Sequence, residues 1–223
     1  MYRPRPNFYD VALKHGTDKV TDHSYHNMYE KYLPLYRDKH VKMLEIGLGC
    51  GMSYGPGKSY YTWLDYFPHI DLYYIEYDAV CAEKWAANTT RATVFTGDQA
   101  DAAFLERVIT ETDAHASGFD IIVDDGGHRM EHQITSLKHL WKAVKPGGVY
   151  FCEDLQTSYI DSWGGSSVAA VGGDIMMGVV KELLDDLNMG YVEQKYDFSR
   201  DMLNVDCMRE ICGFTKKTRE VAA

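Results

Sequence analysis

Between Val41 and Tyr159 the chain alternates short apolar runs with longer amphipathic ones, and this alternation narrows the fold more than any other feature. The runs VKMLEIGLG, DLYYIEYD, ATVFTGDQAD, FDIIVDDGG and VYFCEDL read as strands. The intervening GKSYYTWLDYF, AVCAEKWAANT, AAFLERVITET and EHQITSLKHLWKAV, the last stopped by KPGG, read as helices. A strand–helix–strand repeat returns each strand parallel to the last and lays helices on both faces of the sheet. Near-continuous apolar strands such as FDIIV suit a sheet buried on both sides. Further on, SWGGSSVAAVGGD reads as a mobile loop and IMMGVVKELLDDLNMG as a helix with Gly190 as its C-cap. YVEQKYDF and NVDCMREICGFTKK complete the count as two final strands forming an antiparallel edge, seven in all. The expected fold is therefore α/β with a mostly parallel seven-stranded sheet.

Two segments precede this repeat. Pro4 and Pro6 make residues 1–7 a loose arm, and SYHNMYEKYLPLY sets Tyr25, Met28, Tyr29 and Tyr32 on one helix face that Pro34 should end. The expected organisation is a helical arm over residues 1–37 and one domain over 38–223, a size that one hydrophobic core supports. The net charge of −10 argues against nucleic acid or an anionic membrane as main partner. MYRPRPNFYD lacks the apolar core of a secretory leader, and no run is apolar for long enough to span a bilayer. The five cysteines, odd in number and without a CxxC pair, read as reduced thiols in a cytoplasmic protein.

Chemistry concentrates at the strand exits. LEIGLGCGMS puts Glu45 at the first exit with Gly47, Gly49 and Gly51 behind it. The G-x-G-x-G spacing is neither the dinucleotide fingerprint nor a phosphate-cradling P-loop, which disfavours a nicotinamide cofactor. Glu76 ends the second strand where an acid meets ribose hydroxyls, Asp98 and Gln99 follow the third, and Asp124 closes the fourth. Acids at successive exits, with no cation to meet a phosphate, fit an adenosine ligand that carries no phosphates.

The fourth and fifth exits each carry an acidic pair. Asp124 and Asp125 are consecutive, so they point to opposite faces of the strand. Asp125, Glu153 and Asp154 can converge, and three carboxylates together repel unless a cation relieves them. All-oxygen ligation suits Mg²⁺, Mn²⁺ or Ca²⁺ better than Zn²⁺. His128, past two glycines, is placed to act as a base near neutral pH, and His132 is a weaker candidate.

HGTDKVTDHSYHNMYEKYL, LEIGLGCGMS, GDQAD, IIVDDGGHRMEHQ and KPGGVYFCEDLQTSY occur in this order over roughly residues 14–160. Together they resemble class I S-adenosylmethionine (SAM)-dependent methyltransferases. Within that class they resemble the metal-dependent sugar O-methyltransferases of macrolide glycosides, the mycinamicin and macrocin type, a group that shares its domain with proteins labelled cephalosporin hydroxylases. The resemblance implies a Rossmann-like methyltransferase fold. It implies Glu45 and Gly47 near the methionine part of SAM, Gly49 and Ser53 also at the cofactor, Glu76 at the ribose, Asp98 and Gln99 at the adenine, and Asp124 on the cofactor side or in the loop scaffold. It implies Asp125, Glu153 and Asp154 as ligands of Mg²⁺ or Mn²⁺ and His128 as general base. The N-terminal arm would fold over the cofactor with Lys19, His23, Tyr25 and Glu30 as polar contacts, Tyr29 and Tyr32 serving as packing residues. Gly127 stands where the group often has Ser. The implied function is methyl transfer from SAM to a hydroxyl of a small molecule, foremost a sugar hydroxyl of a glycosylated natural product. A phenol or catechol acceptor and a SAM-binding relative without transferase activity are the alternatives. Relatives of this kind are often oligomers, so a homo-oligomer is expected.

Overall fold

A computed structural model of the chain describes residues 5–169, 172–189 and 193–218. Five parallel strands, β1 (Val41–Ile46), β2 (Ile70–Glu76), β3 (Ala92–Thr96), β4 (Phe119–Asp124) and β5 (Val144–Cys152), form the body of the sheet. Two antiparallel strands, β6 (Met202–Met208) and β7 (Ile211–Lys216), extend it, and the order across the sheet is β3-β2-β1-β4-β5-β7-β6. All six residues of β1 are buried, Lys42 and Glu45 included, as a strand covered on both faces requires. The chain order reverses between β1 and β4, and the crevice above that reversal is where such sheets bind ligands.

Helices cover both faces. One core layer gathers α6 (Ala102–Glu111), α7 (Met130–Leu140) and α8 (Met176–Asn188) around Leu105, Ile122, Leu137 and Val179. The other gathers α4 (Lys58–Tyr66) and the arm helices α1 (Phe8–His15) and α3 (His26–Tyr32) around Phe8, Tyr29, Trp63 and Phe151. The short α2 (Asp18–Thr21) lies between α1 and α3, and α5 (Ala79–Trp85) connects β2 to β3. Asn7 caps α1 by accepting from the Asp10 N–H, and Gly16 ends it at φ +69°. The expected loose arm is fastened over residues 5–7: Arg5 pairs with Asp38, and Arg37 donates to the Pro6 carbonyl at 2.6 Å. Pro34 ends α3 as expected, within a 3₁₀ turn over Leu33–Leu35.

The structure corrects three expectations. Both edge strands come from NVDCMREICGFTKK together with Met202 and Leu203, folded back at Arg209 and Glu210. YVEQKYDF forms no strand over its described residues 193–198, because Asp186 of α8 takes the Lys195 N–H at 2.8 Å and the Tyr196 N–H at 3.0 Å. Tyr191, Val192 and Gly190, the expected C-cap, lie outside the described residues. Second, KPGG lies inside β5 at a register irregularity in its pairing with β4, rather than as a loop before the strand. Third, Cys50 is disulfide-bonded to Cys81 and Cys207 to Cys212, which overturns the reduced-thiol reading; Cys152 alone among the described cysteines is free, and it is buried. Spacing could not show the first pair, since the fold brings the glycine-rich loop against the start of α5. The expected mobile loop also begins as fixed structure: Ser166 N–H donates to Ser158 O at 2.9 Å, and Gly165 packs so closely that a Cβ would lie 2.5 Å from the Ser158 carbonyl.

Phe8 joins the arm to the domain, with ring centroids 4.8 Å from Tyr29, 5.4 Å from Trp63 and 5.6 Å from Tyr66. Phe8→Ala should destabilise the protein by about 3–5 kcal/mol, read as a lowered midpoint in urea unfolding followed by circular dichroism.

Candidate cofactor and metal site

The exits of β1 to β5 open on one cleft of ≈ 630 Å³. Its floor is the turn after β1, where Gly47 has φ +98° and a Cβ would stand 2.1 Å from the Asp125 carbonyl oxygen. Only glycine lets this turn pass so close to the β4 exit. Glu76 holds the same turn: its Oε2 accepts from the Leu48 N–H at 2.9 Å and its Oε1 from the Asp78 N–H at 2.9 Å, while the residue lines the cleft. Gly47, Gly49, Glu76, Asp98 and Gln99 all line the cleft. Tyr77, 78% exposed beside Glu76, joins them, and sequence reasoning missed it although it directly follows a strand exit.

Four residues expected at the cofactor stand elsewhere among the described contacts. Asp124 is buried behind the cleft and accepts from Gln99 Nε2 at 2.9 Å and Tyr150 OH at 3.0 Å, so it belongs to the loop scaffold. Gln99, though at the cleft wall, has its side chain occupied: Nε2 also donates to Ser136 Oγ at 3.0 Å, and Oε1 accepts from the Gly127 N–H at 2.7 Å. Glu45 lies below the floor, accepting from Ser59 Oγ at 2.7 Å and Trp63 Nε1 at 2.8 Å, and Ser53 is exposed on the glycine-rich loop, off the cleft lining. Lys19 is 1% exposed and outside the lining. Its ammonium is 2.5 Å from Asp125 Oδ2, 2.6 Å from Glu153 Oε2 and 3.3 Å from Glu45 Oε1.

The acidic exits separate into two groups. Asp125, His128 and Asp154 present ligand atoms within 4.8 Å of one another at the cleft. Glu153 faces the arm, paired with Lys19 and hydrogen-bonded by the Tyr29 hydroxyl. Consecutive residues project to opposite sides at the end of a strand, and Asp154 then leaves β5 at φ +56°. Glu153 and Asp125 are therefore joined through a shared ammonium, and His128 stands beside the two aspartates. Tyr29, expected only to pack, also serves this polar group. Glu30 accepts from the Tyr9 N–H at 3.0 Å, and Tyr32 OH donates to Asp206 at 2.9 Å, which places both in the arm's own contacts.

Asp154 is the best-supported acid. Its Oδ1 accepts from Gln156 Nε2 at 2.7 Å and Tyr25 OH at 3.1 Å; His23 Nε2 is 3.6 Å away, and His128 Nε2 lies 3.5 Å from its Oδ2. Burial pushes its carboxyl up, but His128, Gln156, His23 and Tyr25 outweigh it and hold it below the usual range. Burial raises the Asp125 carboxyl, opposed by Lys19 and His128. Burial alone would lower the Lys19 pKa; Asp125 and Glu153 outweigh it and raise it well above normal. Among the described residues, four non-glycines have positive φ, and two of them, His128 (+53°) and Asp154 (+56°), lie in this cluster. A third, Glu210, accepts from His23 Nδ1 at 2.9 Å. Strained backbone gathered around one cluster is a mark of function.

The cluster fits a divalent cation on its own chemistry. Two carboxylates converge at a solvent-connected point, and His128 Nδ1 is buried with no hydrogen-bond partner. Hard oxygen donors of this kind suit Mg²⁺ or Mn²⁺. Lys19 shares Asp125 with this cluster and also pairs with Glu153. Lys19→Met should destabilise the fold by about 3–5 kcal/mol, read in urea unfolding, and adding Glu153→Gln should recover part of the loss.

No family model matches the chain. It is 36% identical over 180 residues to 8-demethyl-8-(2-methoxy-α-L-rhamnosyl)-tetracenomycin-C 3'-O-methyltransferase of Streptomyces olivaceus, an alignment covering 80% of this chain and 44% of that protein. It is 33% identical over 186 residues to demethylmacrocin O-methyltransferase of Streptomyces fradiae, covering 82% and 45%. It is 31% identical over 185 residues to mycinamicin VI 2''-O-methyltransferase of Micromonospora griseorubida, covering 81% and 44%. The chain spans under half the length of these curated relatives. Among solved structures it is similar to the MycE methyltransferase in complex with Mg, SAH and mycinamycin VI, with a TM-score of 0.81 and 28% identity over 98% of this chain and 57% of that one. The chain thus has the class I methyltransferase fold and is a relative of the O-methyltransferases named for rhamnosyl-tetracenomycin, demethylmacrocin and mycinamicin.

Proposed function

We propose that the protein transfers a methyl group from SAM to a hydroxyl of a small glycosylated acceptor, foremost a sugar hydroxyl, with Mg²⁺ or Mn²⁺ held at Asp125 and Asp154. The observation that carries this reading is that one cleft joins acidic strand exits suited to a phosphate-free nucleoside with the Asp125–His128–Asp154 cluster. The names of the relatives and the Mg- and SAH-bound neighbour support the same assignment.

The residues divide the work by position. The turn at Gly47 and Gly49 brings backbone close to the donor, Glu76 meets its ribose, and Asp98 and Tyr77 flank its adenine. When bound, the sulfonium supplies an electrophilic methyl group and the cation lowers the pKa of the acceptor hydroxyl. His128 Nε2 takes the proton from that hydroxyl, and Asp154 Oδ2, at 3.5 Å, stabilises the imidazolium that forms. Holding hydroxyl and methyl in line supplies much of the rate. Over residues 5–37 the arm acts as a lid that keeps water from the cleft, pinned by Lys19, Tyr25 and Tyr29. Glu153 completes the site from behind Asp125, through Lys19.

A catechol offers the same pair of adjacent oxygens, but the rhamnosyl group in the name of one relative favours a sugar. The reading includes an enzyme with no nucleic-acid or membrane partner; among the described residues no helix is long and apolar enough to cross a membrane, and the net charge is −10. It also includes a homo-oligomer, checked by light scattering on the purified chain.

Methylation of rhamnosylated acceptors, followed by mass spectrometry, should stop in EDTA and return with added Mg²⁺ or Mn²⁺. Undiminished turnover in chelator or in Asp125→Ala would sink the metal-dependent reading. His128→Ala should lower kcat by about 10²–10⁴-fold while SAH affinity in calorimetry stays near wild type.

A further inference from the structure

The cleft has an apolar end that the reading above leaves unused. Across the sheet the exits run β3, β2, β1, β4, β5. The residues assigned to the donor come from the first three, and the Asp125–His128–Asp154 cluster comes from the last two. Beyond the cluster, on the side away from β2 and β3, the segment after β5 adds Ile160 and Trp163 to the cleft lining. Ile160 is 42% exposed and Trp163 is 36% exposed, and the indole centroid lies 6.0 Å from the His128 ring. Trp163 therefore borders the part of the cleft where a hydroxyl would meet His128.

The platform is held in place. Ile160 stands between two 3₁₀ turns, Leu155–Tyr159 and Asp161–Trp163. Its carbonyl accepts from the Trp163 N–H at 3.0 Å and the Gly165 N–H at 3.2 Å, and Gly164 closes the turn at φ +82°. Arg129 Nη1 donates to the Ser162 carbonyl at 3.4 Å, tying the turn to the N-terminus of α7. A large apolar side chain kept exposed on a fixed backbone beside polar groups is the arrangement of a recognition surface.

Resting on the methyl-transfer reading, we infer that Trp163, with Ile160, is the platform on which the acceptor's sugar ring stacks, and that it decides which ring is accepted. The surroundings specify the ligand: an uncharged ring with a C–H-rich face for the indole and a hydroxyl-bearing edge for His128 and the carboxylates. Ile160 and Trp163 offer no charged group to pair with an ionic ring substituent. A deoxyhexose such as rhamnose has this two-sided character.

The test uses the full chain loaded with SAH and Mg²⁺, and methyl α-L-rhamnopyranoside as probe, with catechol in a parallel arm. Saturation-transfer NMR should show the rhamnoside ring protons in contact with wild-type protein. Trp163→Ala should weaken rhamnoside binding by about tenfold, Trp163→Tyr should retain most of it, and SAH affinity in calorimetry should be the same in all three proteins. Equal rhamnoside binding in wild type and Trp163→Ala overturns the platform. So does contact with catechol in place of rhamnoside, or a wild-type protein that binds SAH and neither probe. Failure of wild type to bind SAH is a separate result: it removes the methyl-transfer reading itself, and the acceptor assignment falls with it.

Discussion

One buried ammonium holds the site together. Lys19 comes from the short α2 of the arm, yet its Nζ lies among carboxylates from the exits of β4 and β5 and the end of β1. Without it, Glu45, Asp125 and Glu153 would be three negative charges crowded into a low-dielectric space. With it, their mutual repulsion becomes a clamp that draws the arm over the strand exits. The aromatic cluster of Phe8, Tyr29, Trp63 and Phe151 then fixes the same arm by packing, and the Tyr29 hydroxyl extends from that cluster to Glu153.

A second network works from the opposite face of the sheet. The Gln99 side chain bonds Asp124, Ser136 and the Gly127 N–H, joining the β3 exit to the loop that carries Asp125 and His128. Gly126 is required there, since a Cβ would fall 2.1 Å from Gln99 Oε1. The loop between β4 and α7 is thus fixed from both sides, by Lys19 through Asp125 and by Gln99 through Gly127. That double fixation can sustain the positive φ of His128 and keeps its imidazole facing Asp154 rather than relaxing into solvent.

Between the two networks the cleft lining is mixed, with Leu48, Ile75 and Tyr77 beside Glu76 and Asp98. Asp125, His128 and Asp154 cluster between these residues and Ile160 and Trp163, which line the cleft after β5. Under the proposed methyl transfer, polar groups at the cluster and an apolar surface at Trp163 would orient an acceptor before any chemistry occurs.

Much of this was legible in the sequence, for local reasons. Hydrophobic period marks strands and helices because side-chain alternation is a property of neighbouring residues, so the five parallel strands and their order of acidic exits could be read directly. Gly47, Glu76, Asp98, Asp125, His128 and Asp154 were recognisable as exit residues and all line the cleft. The antiparallel edge was legible too, though not that one stretch folds back to form both of its strands; the Cys50–Cys81 pair was not, because its partners lie 31 positions apart and are joined only by the fold. The same limit applies inside the site. Sequence alone determined which residues reach the carboxyl ends of the strands. Only the tertiary structure decided what each side chain touches there: that Glu153 faces Lys19 rather than His128, that Asp124 and Gln99 serve the scaffold, and that Trp163 borders His128. Lys19 is separated from Asp125 by 106 positions and from Glu153 by 134. Contacts across such distances are set by packing and charge balance over the whole fold, which no local pattern encodes.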